Sequence, residues 1–72
     1  MILSQSKDRA ICPKYITALY TQKIKGRFTV FASIDTDSAH LPASFALMPI
    51  QTVNTSKEAQ EILKRYSDSL TA

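Results

Sequence analysis

The 72-residue sequence is poor in the residues that punctuate or staple a chain: one cysteine, one glycine and three prolines. A lone thiol has no internal partner, so a disulfide framework is excluded, and such cysteine usage fits a reducing cytoplasm. Apolar residues make up 44% and charged residues 21%, a balance that excludes a disordered chain. No apolar run approaches the ~18 residues of a membrane span. The N-terminus has no basic segment followed by an apolar stretch, so no leader peptide and no membrane attachment are expected. Internal repeats and low-complexity tracts are missing. So are a P-loop, a zinc-ligand cluster and paired carboxylates, which leaves no catalytic motif, no metal site and no cofactor to expect.

Length is scarce too. A chain of this size forms one domain, residues 1–72. Folding buries about 4,200 Å² of apolar surface, which at ~25 cal/mol/Å² stabilises by ~105 kcal/mol. Ordering the chain costs ~108 kcal/mol. The two terms cancel, so the chain is marginal alone, gains from a second copy and cannot wall a large cleft. The net charge of +3 and pI near 9.3 tilt it mildly toward anionic partners.

What is present reads as short strands followed by one helix. Met1 to Gln5 and Arg9-Ala10-Ile11 form two short strands about a turn at Ser6-Lys7-Asp8, and Cys12-Pro13-Lys14 breaks the pattern. Tyr15–Gln22 and Arg27–Ile34 are rich in β-branched and aromatic residues and read as a hairpin around a four-residue loop, Lys23 to Gly26. With that loop, Gln22 pairs with Arg27. One face then carries Tyr15, Thr17, Leu19, Thr21, Phe28, Val30, Ala32 and Ile34. The other carries Ile16, Ala18, Tyr20, Thr29, Phe31 and Ser33, conditional on the loop length. Asp35–Ser44 reads as a loop, and Phe45 to Met48 as a last, edge strand ended by Pro49. Thr55-Ser56-Lys57-Glu58 is a capping box, followed by an apolar stripe of Ala59, Ile62, Leu63, Tyr66 and Leu70 at helical spacing. The fold class is α+β: an antiparallel β-meander of three to five strands with one C-terminal α-helix packed on one face.

Each candidate for chemistry has a plain alternative. Cys12-Pro13 is a dipeptide used to ligate haem, but no second ligand accompanies it, and a small hydrophobe at a strand end explains it. His40 could pair with Cys12 as base and nucleophile, yet nothing orients either, so a solvated loop histidine is the better reading. Asp35-Thr36-Asp37 starts like a calcium loop and then fails, with His40 at the sixth position and Ala46 at the twelfth. The basic residues say more. Lys23, Lys25 and Arg27 cluster at the hairpin tip, and Lys64 and Arg65 lie beside the helix stripe. With Tyr20 and Phe31 on one strand face, they form a small version of a surface that stacks bases and neutralises phosphates. The alternative is a tip charged for solubility. Ile16, Tyr20 and Phe31 on a face that one helix cannot cover point to a homodimer, unless the N-terminal strands fold over it.

Met1-Ile2-Leu3-Ser4-Gln5, the central hairpin and Thr55 to Leu63 together resemble small uncharacterised proteins of Gram-positive bacteria, their prophages and mobile elements. The resemblance covers about half the chain, and the sequence departs from the group in its long Asp35–Ser44 loop. It implies a phage or mobile-element setting in a host cytoplasm, where such proteins bind and neutralise a host component. The expectation is a non-catalytic, anti-defence binding protein that sequesters a small anionic nucleotide signal at a homodimer interface, through Lys23, Lys25, Arg27, Tyr20, Phe31, Lys64 and Arg65. The alternatives are an inhibitor gripping a host protein by a sheet edge or helix face, and a single-stranded nucleic-acid-binding module.

Overall fold

A computed structural model describes residues 1–71. The chain is α+β, with a two-stranded sheet, a three-stranded antiparallel sheet and a C-terminal helix. Strands β1 (Ile2–Leu3) and β2 (Ala10–Ile11) pair as a small hairpin. A 3-10 turn over Pro13–Tyr15 leads into β3 (Ile16–Ile24), followed by β4 (Arg27–Ile34). A single helical turn, α1 (Thr36–Ala39), and a second 3-10 turn (Ala43–Phe45) connect to β5 (Leu47–Val53). Helix α2 (Ser56–Thr71) closes the chain. The strand order β3-β4-β5 is a meander with β4 in the middle.

The central hairpin is longer and tighter than the sequence pattern predicts. Ile24 pairs with Arg27, so the turn holds only Lys25 and Gly26, both at positive φ (51° and 79°). Two consecutive left-handed residues are what a two-residue turn requires to match the strand twist. Ile24, β-branched, continues the strand instead of entering the loop. Gln22 consequently pairs with Thr29 rather than Arg27. The shift is two residues, and because side chains alternate with period two, both face assignments survive it.

Ile16 is the exception. A bulge between Ile16 and Ala18 inserts Thr17, whose hydroxyl donates to the Ser33 carbonyl at 3.2 Å. The extra residue puts Ile16 opposite Ile34, so Ile16 joins the core rather than the outer face, while Thr17, expected on the core face, is exposed.

The last strand also differs from expectation. It starts at Leu47 and runs through Pro49 to Val53, while Ala43–Phe45 is a 3-10 turn. Pro49 is tolerated because β5 is an edge strand and proline lacks only the donor that an edge need not use. A second bulge places Val30 opposite Gln51 but Phe31 opposite Pro49, leaving Ile50 extra and buried. Within Asp35–Ser44, read as irregular, Asp35 caps α1 by accepting from the Ser38 amide at 3.3 Å. His40 ends that turn in the left-handed conformation.

The core lies on one side of the large sheet. Val30, Ala32, Ile34 and Met48 point into it, α2 covers them with Ala59 and Ile62, and Ile2 and Ile11 of the small hairpin join the same cluster. Leu63, Tyr66 and Leu70 continue the helix contact. Thr55 caps the helix, its hydroxyl accepting from the Glu58 amide at 3.2 Å; the Glu58 carboxylate turns back to accept from that hydroxyl at 3.0 Å, where the capping-box pattern expects the Thr55 amide. The molecule is flattened, 34 × 28 × 18 Å. It exposes 4,860 Å², above the ~4,500 Å² expected for its mass, as befits a sheet covered on one side.

Candidate functional site

The other side of the sheet is open. Neither α2 nor Ile2 and Ile11 lie on it, since all join the cluster on the opposite face. Register alone orders it into rows of cross-strand neighbours. Leu47, Ser33 and Ala18 form the first row, Pro49, Phe31 and Tyr20 the second, and Thr52, Thr29 and Gln22 the third. Beyond them, towards the turn, Arg27 sits opposite Ile24.

The Tyr20 and Phe31 rings stack at the centre of this face, with centroids 5.6 Å apart and planes at 21°. Such a cross-strand aromatic pair contributes beyond its buried area. It also presents a flat apolar step on which another planar group can stack. Below it runs a polar row with a continuous hydrogen-bond chain. The Thr29 and Thr52 hydroxyls are 3.0 Å apart, and Thr52 donates to the Gln5 side-chain oxygen at 2.6 Å. Gln5 is held there by its backbone, whose amide donates to the Pro49 carbonyl at 2.8 Å on the outer edge of β5.

The structure divides the basic residues by face. Arg27 shares the open face with Tyr20 and Phe31, by the alternation of β4. Lys25 occupies the turn itself. Lys23 points to the other side, where its ammonium lies 5.9 Å from the centre of the Phe28 ring. Lys64 and Arg65 are exposed on α2, which packs against the core side. The seven residues therefore do not converge within one copy. Tyr20, Phe31 and Arg27, with Lys25 at the end, make one surface, and the sheet separates it from Lys23, Lys64 and Arg65.

The chain matches no known protein family, no curated protein and no solved structure. Among the described residues no group of three or more His, Cys, Asp or Glu is placed to hold a metal ion. Cys12 is half-buried and His40 exposed. No helix of the described residues is long and apolar enough to cross a membrane.

Sequence reasoning missed the polar row of Gln5, Thr52 and Gln22. Thr29 and Thr52 become neighbours only once β5 is carried through Pro49, and that proline was the signal for stopping the strand early. Gln5 is distant in sequence and nothing local announces it.

Proposed function

We propose that this chain is a non-catalytic binding protein that holds a small anionic nucleotide against the open face of its sheet, with a second copy closing over it. The observation that carries the reading is the Tyr20–Phe31 stack at the centre of an uncovered face that also bears Arg27. Bases stack on aromatic side chains of open sheets, and a guanidinium suits phosphate. Arg27 is four residues from Phe31 on the same strand, about 13 Å along it, a span that suits a base, its sugar and its phosphate. Thr29 lies between them, buried and with its hydroxyl paired to Thr52, so it is part of the floor and not a ligand contact.

One copy gives this ligand a floor but no roof, and ligand sites bury most of their ligand's surface. A two-fold partner supplies the roof and covers the apolar centre at once, and the net charge of +3 favours an anionic ligand over a basic target. In the phage or mobile-element setting that the resemblance implies, such a protein sequesters a host signal. A second reading rests on a separate feature. Among the described residues β3 is a nine-residue edge strand paired only with β4, so an extended segment of a host protein can add to it as a further strand.

Native mass spectrometry and calorimetry with mono-, di- and cyclic nucleotides test the first reading. The expected result is a dimer carrying nucleotide, with binding lost in the double variant Lys25→Glu/Arg27→Glu and the dimer lost in Phe31→Asp. Unaltered binding in the double variant would reduce the tip to a solubility device. A monomer that ignores every nucleotide would shift the weight to the edge strand. The same titration with a single-stranded oligonucleotide, followed against salt, separates a polymer from a small ligand, because only the polymer gives a steep salt slope.

A further inference from the structure

Away from the open face, a pocket of about 220 Å³ lies between the small N-terminal hairpin and the end of the large sheet. Its floor is core: Ile11, Ile34 and Met48, all nearly fully buried. Leu41 and Phe45, from the connection between α1 and β5, form its walls, and Asp8 and Arg9 stand at the rim. A cavity of ~150 Å³ lined by apolar side chains takes up benzene. By proportion this one accommodates about nine heavy atoms.

The rim decides what kind of molecule that is. Arg9 lies with its guanidinium carbon 5.3 Å from the centre of the Phe45 ring, on the wall of the pocket. Asp8 is its nearest acid, but the closest approach, from Nε, is 4.0 Å, too long for a hydrogen bond. One Asp8 oxygen accepts from the Ser4 hydroxyl at 2.8 Å and from the Ser6 hydroxyl, which turns that oxygen toward the hairpin turn. Arg9 is thus aligned by a ring and only loosely compensated by charge. A guanidinium in that state is suited to a carboxylate arriving at the mouth of an apolar pocket, which can take two parallel hydrogen bonds from it.

We infer that the pocket binds a small carboxylic acid with a compact apolar body, its ring or chain held between Leu41 and Phe45 above the buried Ile11, Ile34 and Met48 and its carboxylate on Arg9. The occupant bridges the small hairpin and the main sheet, so binding also stabilises the fold by mass action.

The test uses the full chain with phenylacetate and its neutral counterpart 2-phenylethanol, read by methyl and amide NMR. Phenylacetate is expected to shift the Met48, Ile11 and Ile34 methyl signals in a saturable manner. Arg9→Gln is expected to weaken phenylacetate about tenfold while leaving 2-phenylethanol unchanged. Leu41→Trp, which fills the space, abolishes both, and dispersed amide spectra of each variant show that it folds. If the acid leaves those methyls unmoved, or shifts Tyr20 and Phe31 instead, the pocket is not its site. Equal weakening of acid and alcohol in Arg9→Gln would overturn the role of the guanidinium.

Discussion

At the hairpin tip, Lys25 and Gly26 both sit at positive φ, and only the glycine does so without cost. A Cβ added at Gly26 would meet nothing within 4 Å, so the penalty of Gly26→Ala comes from the backbone alone. We expect a loss of about 1 kcal/mol in urea denaturation. Lys25→Asn should gain stability by a few tenths to ~1 kcal/mol, since asparagine is preferred at the first position of such a turn. Asp8 offers a second check at this scale. The hydroxyls of Ser6 and Ser4 hold its carboxyl below the usual carboxylate range. A depressed value in the folded state stabilises above the unfolded value, and that contribution is lost as pH falls through the folded one. Carboxyl NMR should therefore place the Asp8 midpoint below that of an ordinary aspartate, and Ser6→Ala should raise it. An unmoved midpoint would show that the hydroxyl is not its partner.

Among the elements, α2 depends on its first turn. Thr55 and Glu58 satisfy each other and the Glu58 amide, and the capping box was legible because its residues are adjacent in sequence. Thr55→Ala should cost about 1 kcal/mol, read as a lower midpoint by far-ultraviolet circular dichroism. The stripe of Ala59, Ile62, Leu63, Tyr66 and Leu70 was equally legible, its spacing set by the helix alone. β5 was not. Its pairing with β4 is decided by hydrogen bonds made across more than a dozen residues, and Pro49 breaks the local rule that would have announced it. The bulge at Thr17 is of the same kind, a local insertion that moves Ile16 to the core because Ile34 is there to receive it. Each bulge re-aims side chains that sequence alternation alone assigns to the wrong face or leaves unassigned.

The whole molecule is a sheet with one covered side. Met48, at 1% exposure, and Val30, at 0%, are the largest side chains fully sealed in the core. Met48→Ala should cost about 2–5 kcal/mol, comparable to the entire margin of so small a domain, and leave the chain largely unfolded by amide NMR. The proposal of a second copy has its own signature at this scale. Association of the folded form alone makes stability depend on concentration, so the urea midpoint should rise as protein is concentrated. A midpoint independent of concentration would remove the partner from the proposed site. Phe31→Asp, on the open face rather than in the core, should abolish that dependence while the isolated fold persists.

The sequence by itself determined the α+β class, the paired short strands at the N-terminus, the central hairpin and the capped C-terminal helix. Those features rest on periodicity, capping and turn chemistry, which act between residues close along the chain. From Ala18 onward it also determined which residues of the central hairpin share a face, because a register error of two leaves the parity intact, whereas the bulge at Thr17 moved Ile16 to the core. Only the tertiary structure decided that Lys23, Lys64 and Arg65 stand apart from Tyr20, Phe31 and Arg27. Only it decided that Gln5 caps the polar row and that Arg9 leans on Phe45 above an apolar pocket. Those juxtapositions depend on which side of a sheet an element lands, and that is set by the burial of the whole apolar surface at once.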